Sequence, residues 1–146
     1  MKKIIAIDVG NSETTVGVGN SNEWTGYRFT TRKTITSDEL LMMFKTIIDI
    51  EPIKENKVDG AIICSVVPQI TNSVALATSK FISKEAIVVG PGIKTGLKVN
   101  IDNPKELGPD RIANSIGGYM KVKSPVIVVD LGTATTFDLV NEKKEY

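Results

Sequence analysis

The feature that most restricts the fold of this chain is a short motif that occurs twice. Residues 4–14 and residues 126–136 align over their whole length. Each is an apolar, β-branched run, then Asp-x-Gly, then small polar residues that lead into a second extended segment. Asp8 aligns with Asp130, and Gly10 aligns with Gly132. Because a repeated supersecondary unit usually marks a repeated fold, we expect two related domains that each start with this strand-turn-strand unit.

The chemistry of the repeated motif favours phosphate binding. A strand that ends in Asp8 or Asp130 delivers a carboxylate to the mouth of a cleft, where it can hold Mg²⁺ directly or through water. The glycine lets the backbone approach a phosphate without a Cβ in the way, and the Asn, Ser and Thr residues that follow offer donors to phosphate oxygens. A single Asp-x-Gly after a strand is more often only a turn. Two matching copies favour two hairpins that face each other and bind a triphosphate from both sides.

The order of the predicted elements indicates a specific α/β fold. Thr36 and Glu39 form a capping box, which predicts the start of a helix, and Pro68 suits the first turn of a second helix. The predicted strands lie at residues 3–8, 14–19, 24–31, 60–65 and 86–89. The resulting order, β-β-β-α-β-α-β, is that of the ribonuclease-H-like unit of the actin-type superfamily, a mixed β-sheet flanked by helices.

The last third of the chain predicts the start of a second such unit. A helix is expected at residues 109–122, with Ile112, Ile116 and Met120 facing inward, followed by strands at 126–130 and 135–140. Gly117 and Gly118 lie inside this helix, where each glycine costs about 1 kcal/mol relative to alanine, so we expect close packing there.

These elements suggest a division into two domains. We assign residues 1–107 to a first ribonuclease-H-like domain. Residues 108–146 then hold a helix with a substrate motif and the first hairpin of an incomplete second domain.

Composition excludes several classes of function. The 146 residues include no histidine, so a Ser-His-Asp triad is excluded within this chain and a general base must be a carboxylate, Lys or Tyr. Lys and Arg number 18 against 17 Asp and Glu, which gives no attraction to nucleic acid or membrane. The single cysteine, Cys64, lies in an apolar run and is expected to be buried. Since one cysteine cannot form an internal disulfide, we predict a cytoplasmic location.

Five short segments together resemble the type III pantothenate kinases, which phosphorylate pantothenate with ATP in the first step of coenzyme A synthesis. Each segment alone is weakly specific, but all five occur in the family's order and spacing and extend over the whole chain. The segments are residues 7–12 (IDVGNS), 65–68 (SVVP), 90–97 (GPGIKTGL), 108–111 (GPDR) and 130–137 (DLGTATTF). The chain departs from many members at Pro109, where they have alanine, a change that does not touch the chemistry of the neighbouring Asp.

The resemblance implies roles for individual residues. Asp110 would be the general base toward the pantothenate hydroxyl. Asp130 would bind the monovalent cation, K⁺ or NH₄⁺, that the family requires, and Asp8 is a candidate ligand for the Mg²⁺ that accompanies ATP. The substrate-binding residues would be Gly108, Pro109, Asp110 and Arg111. The residues expected to contact ATP are Asp8, Val9, Gly10, Asn11, Ser12, Glu13, Thr14, Thr15 and Thr133.

From the residues alone, Asp110 has two interpretations. Pro109 can open a helix, so Asp110 could simply be an acid in the first helical turn, with Arg111 on a solvated face. In the other interpretation, Asp110 accepts a proton from a primary alcohol while Arg111 binds the substrate carboxylate through two hydrogen bonds. The absence of histidine and the resemblance favour the second interpretation.

Members of the family are longer than this chain. The resemblance implies that the remainder contributes an adenosine-facing motif, a substrate-contacting Thr and much of a dimer interface, so a homodimer is expected for the full-length form. We expect this chain alone to bind nucleotide weakly, to show little kinase activity and to leave apolar faces of its last two strands unpaired. Two other functions stay open: a different small-molecule kinase of the superfamily, and a non-catalytic accessory factor in transcription, for which the near-neutral charge is unfavourable.

Overall fold

The computed structural model describes residues 2–50, 58–123 and 125–146, which fall into two compact units. The first unit extends to Val89, and the second runs from Gly90 to Tyr146. Residues 90–107, which the sequence analysis placed with the first domain, therefore lie in the second unit. The assignment of complete domains stays a prediction.

A five-stranded mixed sheet forms the first unit. Its order across the sheet is β3-β2-β1-β4-β5. The first three strands form an antiparallel meander, and β4 and β5 continue the sheet parallel to β1. The strands are β1 (Lys3–Val9), β2 (Glu13–Gly19), β3 (Trp24–Thr30), β4 (Val58–Ser65) and β5 (Ile87–Val88).

Two helices, α1 (Ser37–Ile50) and α2 (Pro68–Ile82), belong to this unit. The predicted capping box opens α1: the Glu39 N–H donates to Thr36 Oγ1 (3.2 Å), and the Thr36 N–H donates to Glu39 Oε2 (2.9 Å). These reciprocal bonds satisfy backbone donors that the start of a helix leaves without partners. The first turn of α2 contains Pro68, as predicted.

The core of the first unit is built by one face of the sheet and by both helices. Ile5, Ile7 and Val9 of β1 are buried, while Ile4 and Asp8, at the alternate positions of the strand, point to the opposite, exposed face. This alternation follows from the two-residue period of a strand. Cys64 is buried, as predicted. The helices contribute Leu40, Phe44, Ile47, Ile70, Val74, Ala77 and Phe81 to the core.

The second unit contains a long loop, helix α3 (Pro109–Val122) and an antiparallel hairpin of β6 (Val126–Leu131) and β7 (Thr135–Val140). A short 3₁₀ helix at Pro104–Glu106 precedes α3. The loop is tied to the last residues of the chain, because the Tyr146 N–H donates to the Lys98 carbonyl (2.8 Å) and the Asn100 N–H donates to the Tyr146 carbonyl (2.8 Å).

Helix α3 packs on the hairpin through small and polar residues. Ser115 is fully buried, whereas Met120 is 56% exposed, so the prediction that Met120 faces inward is wrong. The reason is the close approach of the two elements: a Cβ on Gly118 would lie 2.6 Å from Val128 Cγ2. Larger apolar side chains do not fit at this contact. A Cβ on Gly117 would meet open space, so the close packing predicted for the glycine pair is confirmed for Gly118 alone.

The opposite face of the hairpin is apolar and exposed. Its large side chains are between 50% and 79% exposed, as expected for the last two strands. They are Ile127, Val129, Leu131, Phe137 and Leu139. In the described ranges, no helix has the length and apolar character needed to cross a membrane.

Candidate active site

The turn between β1 and β2 carries the first Asp-x-Gly motif. Its backbone closes through a hydrogen bond from the Gly10 N–H to the Glu13 carbonyl (2.9 Å). A Cβ on Gly10 would lie 2.9 Å from the same carbonyl oxygen, closer than real Cβ contacts allow. The turn therefore needs glycine for its own geometry, before any ligand is considered.

Thr31, which directly follows β3, supports this turn. Its N–H donates to the Ser12 carbonyl (2.9 Å), and its hydroxyl donates to the Gly10 carbonyl (2.7 Å). Because a carbonyl can only accept, Thr14 Oγ1 is then the donor in its 2.8 Å contact with Thr31 Oγ1. Thr31 does not belong to the residues predicted from the sequence to form the site. Its position in the predicted meander could have identified it. Because Glu13 pairs with Thr30, the next residue, Thr31, lies beside the turn.

The eight residues of this turn that were predicted to contact ATP differ in exposure. Val9 and Thr14 are buried, and the Thr14 hydroxyl contacts Thr31. Gly10 and Thr15 are half-buried. The exposed residues are Asp8, Asn11, Ser12 and Glu13. The surface of the turn that a phosphate can reach is therefore formed by the Asp8 carboxylate and the polar groups of residues 11–13.

The turn between β6 and β7 carries the second motif and has a different support. Asp130 pairs with Thr136 near the end of the hairpin. Asp130 Oδ2 accepts a hydrogen bond from Asn114 Nδ2 of α3 (2.9 Å), so the helix orients this carboxylate. A Cβ on Gly132 would lie 3.5 Å from Asp130 Oδ1, an ordinary contact. Gly132 and the neighbouring Thr133 are exposed.

Helix α3 begins at the motif that was predicted to bind substrate. Gly108 caps the helix with an extended backbone (φ −61°, ψ 146°), and Pro109 lies in the first turn. Asp110 Oδ1 accepts a hydrogen bond from the Arg111 N–H (2.9 Å). Asp110 is half-buried, so its carboxylate is oriented by the helix start and still reaches solvent. This position is compatible with both interpretations of Asp110.

The Arg111 guanidinium is fixed against β7. Its Nε donates to Asp138 Oδ1 (2.7 Å), and its Nη2 lies 2.6 Å from the same oxygen and donates to the Phe137 carbonyl (3.2 Å). The Tyr146 hydroxyl also donates to Asp138 Oδ1 (2.5 Å). Asp138 is 1% exposed, while the Arg111 side chain is 35% exposed. Arg111 is therefore an ion-paired residue, in contrast to the solvated residue of the structural interpretation.

The cluster of Arg111, Asp138 and Tyr146 shifts the pKa of two members. The hydrogen bond to Asp138 raises the pKa of the Arg111 guanidinium. Burial, followed by the hydrogen bond to Asp138, raises the pKa of the Tyr146 hydroxyl to about 12. Both shifts have one physical cause in common, since the Asp138 carboxylate stabilises a bound proton on each neighbour. At neutral pH, Arg111 is charged and Tyr146 is a neutral donor.

An open pocket of about 470 Å³ lies beside the start of α3. This volume is within the range of small-molecule sites. The lining includes the apolar side chains of Leu97, Leu107 and Ile112, together with Gly108 and Pro109 of the substrate motif. An apolar recess is thus lined by the two residues that directly precede Asp110 in the sequence.

Helix α3 connects the predicted substrate motif to the second Asp-x-Gly turn. Asp110 and Arg111 lie in its first turn, and Asn114, one turn later, contacts Asp130. Neither Asn114 nor Asp138 belongs to the residues predicted from the sequence to form the site. The signal for Asn114 is its spacing of four residues from Asp110, which puts both on one face of a helix. The signal for Asp138 is the strand alternation that puts it on the inward face of the hairpin.

The described residues include no group of three or more His, Cys, Asp and Glu that could hold a metal ion. The predicted cation ligands are single carboxylates, Asp8 and Asp130, of which Asp130 is oriented by Asn114. Carboxylate oxygens suit Mg²⁺ that keeps several waters and is shared with substrate phosphates. The donors therefore fit cations held jointly with a phosphate ligand.

A model of the type III pantothenate kinase family matches residues 4–146. The chain belongs to this family. Among similar type III pantothenate kinases, those of Geobacillus sp. (strain WCH70) and Pelobacter propionicus are each 42% identical to it over 144 residues. These matches cover 98% of this chain, but only 56% and 57% of the two relatives. This member of the type III pantothenate kinase family thus spans little more than half the length of the curated relatives it matches.

Two solved structures share the fold of this pantothenate kinase family member. The Ppx/GppA phosphatase of Aquifex aeolicus matches with a TM-score of 0.52 and 14% identity, over 99% of this chain and 50% of that chain. YeaZ from Pseudomonas aeruginosa matches with a TM-score of 0.50 and 11% identity, over 99% of this chain and 63% of that chain. At these identities the likeness shows the fold alone. Together with the strand order, it confirms the predicted ribonuclease-H-like, actin-type α/β fold.

Proposed function

We propose that this chain supplies the phosphate-binding and substrate-activating residues of a kinase that transfers the γ-phosphoryl group of ATP to the primary hydroxyl of pantothenate. The product is 4′-phosphopantothenate, in the first step of coenzyme A biosynthesis. The observation that carries the proposal is that α3 holds Asp110 and Arg111 one turn before Asn114, which orients the carboxylate of the second Asp-x-Gly turn. Membership of the family supports pantothenate as the acceptor.

Asp110 is the proposed general base. The sequence has no histidine, so a carboxylate is the natural group to accept the hydroxyl proton. The hydrogen bond from the Arg111 N–H to Asp110 Oδ1 keeps the carboxylate at the helix start. In phosphoryl transfer, positioning and charge stabilisation contribute most of the rate enhancement. Asp110 would therefore act mainly by aligning and deprotonating the attacking hydroxyl.

The pocket beside Gly108 is the proposed site for the body of pantothenate. Its apolar lining, which includes Leu97, Leu107 and Ile112, suits the two methyl groups next to the reacting hydroxyl. Arg111 is the proposed partner of the substrate carboxylate, since guanidinium and carboxylate groups form strong charge-assisted hydrogen bonds.

Each Asp-x-Gly turn is proposed to contact the phosphates of ATP. In the first turn, Asn11 and Ser12 are exposed polar residues, and in the second turn Thr133 is exposed. Asp8 would contribute to a Mg²⁺ site and Asp130 to a site for K⁺ or NH₄⁺. Such cations neutralise charge on the phosphates during transfer.

A coupled kinase assay with ATP, Mg²⁺ and pantothenate, with and without K⁺ or NH₄⁺, tests the proposal on the longest natural form of the protein. We expect turnover that depends on the monovalent cation, and a loss of about 100-fold or more in Asp110→Asn with nucleotide binding retained. Asp49→Asn, at an exposed position of α1, is the matched control and should keep full activity. Absence of pantothenate phosphorylation would contradict the function, and an active Asp110→Asn would contradict the base.

A further inference from the structure

The guanidinium of Arg111 is held along one edge. Arginine carries five N–H donors in a planar fork. In the described part of the chain, the hydrogen bonds of this group come from Nε and Nη2, which contact Asp138 Oδ1 and the Phe137 carbonyl. The two donors on Nη1 lie on the other edge of the plane, and the side chain as a whole keeps 35% of its surface exposed.

We propose that Asp138 is a positioning residue that aims the Nη1 edge of Arg111 at the carboxylate of the substrate. The inference rests on the function proposed above and deepens it, because it names the residue that makes Arg111 selective for a carboxylate. Asp138 itself is buried and does not contact the substrate in this proposal; it acts through Arg111.

The hydrogen bonds that described residues make to Asp138 go to only one of its two carboxylate oxygens, an arrangement that suits orientation of the Arg111 guanidinium. Nε and Nη2 of Arg111 and the hydroxyl of Tyr146 all converge on Oδ1. Oδ2 is buried and has no hydrogen-bond partner among the described residues. A buried carboxylate with an unsatisfied oxygen is costly. An apolar residue of similar size would be expected to serve packing alone at least as well. The arrangement instead constrains one donor edge of Arg111.

If Arg111 bound the substrate carboxylate through its charge alone, Asp138 would weaken the binding and would not improve it. The negative charge of Asp138 offsets the positive charge of Arg111 at hydrogen-bond distance, so the pair attracts a distant anion less than Arg111 alone would. Selectivity for a carboxylate must then come from the fixed direction of the fork. Removing the charge of Asp138 would strengthen anion binding if charge dominated. Removing its acceptor oxygen would weaken carboxylate selectivity if orientation dominates.

The first test measures the orientation of Arg111 without any ligand. The sequence contains three arginines, so three Nε–H signals are expected in the nitrogen-edited NMR spectrum of the unaltered chain. The Arg111 signal is assigned by its absence from Arg111→Lys. We expect its exchange with water to be about 10-fold slower or more than that of Arg28 and Arg32, whose side chains are 76% and 56% exposed. Equal exchange of all three signals would overturn the proposal.

The second test compares binding of pantothenate with binding of panthenol, in which CH₂OH replaces the carboxylate. Titrations use the longest natural form of the protein, with the chain unaltered, with Asp138→Asn, which keeps an acceptor oxygen without the charge, or with Asp138→Leu, which removes both. We expect the unaltered chain to prefer pantothenate, Asp138→Asn to keep most of that preference, and Asp138→Leu to lose about 10-fold of it.

The outcomes separate the explanations. A purely structural Asp138 would lower binding of both compounds alike in Asp138→Leu and leave the preference unchanged, which overturns the proposal. Stronger pantothenate binding in both variants would show that charge dominates and would also overturn it. If Asp138→Leu does not fold, Asp138→Asn decides: retained preference with slow Arg111 exchange supports orientation, and lost preference or fast exchange overturns it. If the unaltered longest natural form binds both compounds equally, this inference alone is refuted, whereas if it binds neither, the proposed function is refuted with it.

Discussion

The two glycines at matching positions of the repeat are under different constraints. A Cβ on Gly10 would come within 2.9 Å of the Glu13 carbonyl oxygen, while a Cβ on Gly132 would make only ordinary contacts. The first glycine is required by the turn itself. If glycine is required at position 132, the reason must lie outside the turn. The proposed phosphate contact would be such a reason, because a glycine lets a ligand approach the backbone closely.

This difference leads to a prediction for a pair of alanine variants. Gly10→Ala should lower the free energy of unfolding by about 1–3 kcal/mol, as overpacking does, whereas Gly132→Ala should change it by no more than about 0.5 kcal/mol. Urea titration followed by circular dichroism measures the change in each variant, and the fluorescence of the single Trp24 in β3 reports separately on the first unit, which contains Gly10. Gly132→Ala should nevertheless weaken nucleotide binding by the longer form. Unchanged binding in that variant would contradict a phosphate contact at the second turn.

The hydroxyl of Tyr146 gives a prediction about pH. Its pKa is raised to about 12, while a tyrosine in an unfolded chain titrates near 10. The folded chain thus holds this proton more tightly, so the resulting stabilisation is complete below about pH 10 and is lost as the pH rises through about 12. The difference in tyrosinate absorbance between the unaltered chain and Tyr146→Phe isolates the titration. Asp138→Asn should move the midpoint down, and a midpoint near 10 in the unaltered chain would refute the contact.

At the scale of single elements, close approach rather than hydrophobicity selects the face that α3 buries. Arg111, Ser115 and Gly118 recur at helical spacing, and Gly118 lies against Val128 of β6. Apolar Met120 is left exposed. Polar contacts from Arg111 and Asn114 to the hairpin hold the two elements together, so the same helix that carries the candidate base also orients the second Asp-x-Gly turn.

Adjacent glycines in α3 provide an internal control for this packing. Gly118→Ala should lower the free energy of unfolding of the second unit by about 1–3 kcal/mol, because its Cβ would lie 2.6 Å from Val128 Cγ2. Gly117→Ala meets open space and should raise it by up to about 1 kcal/mol through helix propensity. Denaturation followed by circular dichroism compares the two. Equal effects of both substitutions would show that α3 does not pack as closely as described.

For the molecule as a whole, the relevant fact is how much of the length of its relatives this chain spans. The chain contains both Asp-x-Gly turns and the Gly-Pro-Asp-Arg motif, yet it spans only 56–57% of the length of its curated relatives. The outer face of the β6–β7 hairpin is apolar and exposed. The homodimer and the cytoplasmic location that the sequence analysis expects stay predictions.

We predict that the isolated 146-residue chain binds nucleotide weakly and phosphorylates pantothenate little or not at all. The physical reason is that proposed contacts from the remainder of a full-length kinase are not contributed by these residues. The assay described for the longest natural form, run in parallel on this chain, measures the difference. Robust ATP-dependent phosphorylation by the chain alone would refute this prediction.

Much of the architecture was predictable because its signals are local. The alternation of β1, the capping box at Thr36 and Glu39, and the proline at the start of α2 each act within a few residues. Their order along the chain then indicated the ribonuclease-H-like sheet. The candidate base Asp110 was likewise identified from a local motif, and its catalytic role stays a prediction.

The two equivalent Asp-x-Gly turns that follow β1 and β6 can be predicted from the amino-acid sequence, because turn residues and strand periodicity are local signals. Tertiary contacts set how each turn is supported, by Thr31 in one and by Asn114 in the other. They also pair Arg111 with Asp138. These contacts depend on how closely elements distant in sequence approach each other, and no local pattern specifies that distance.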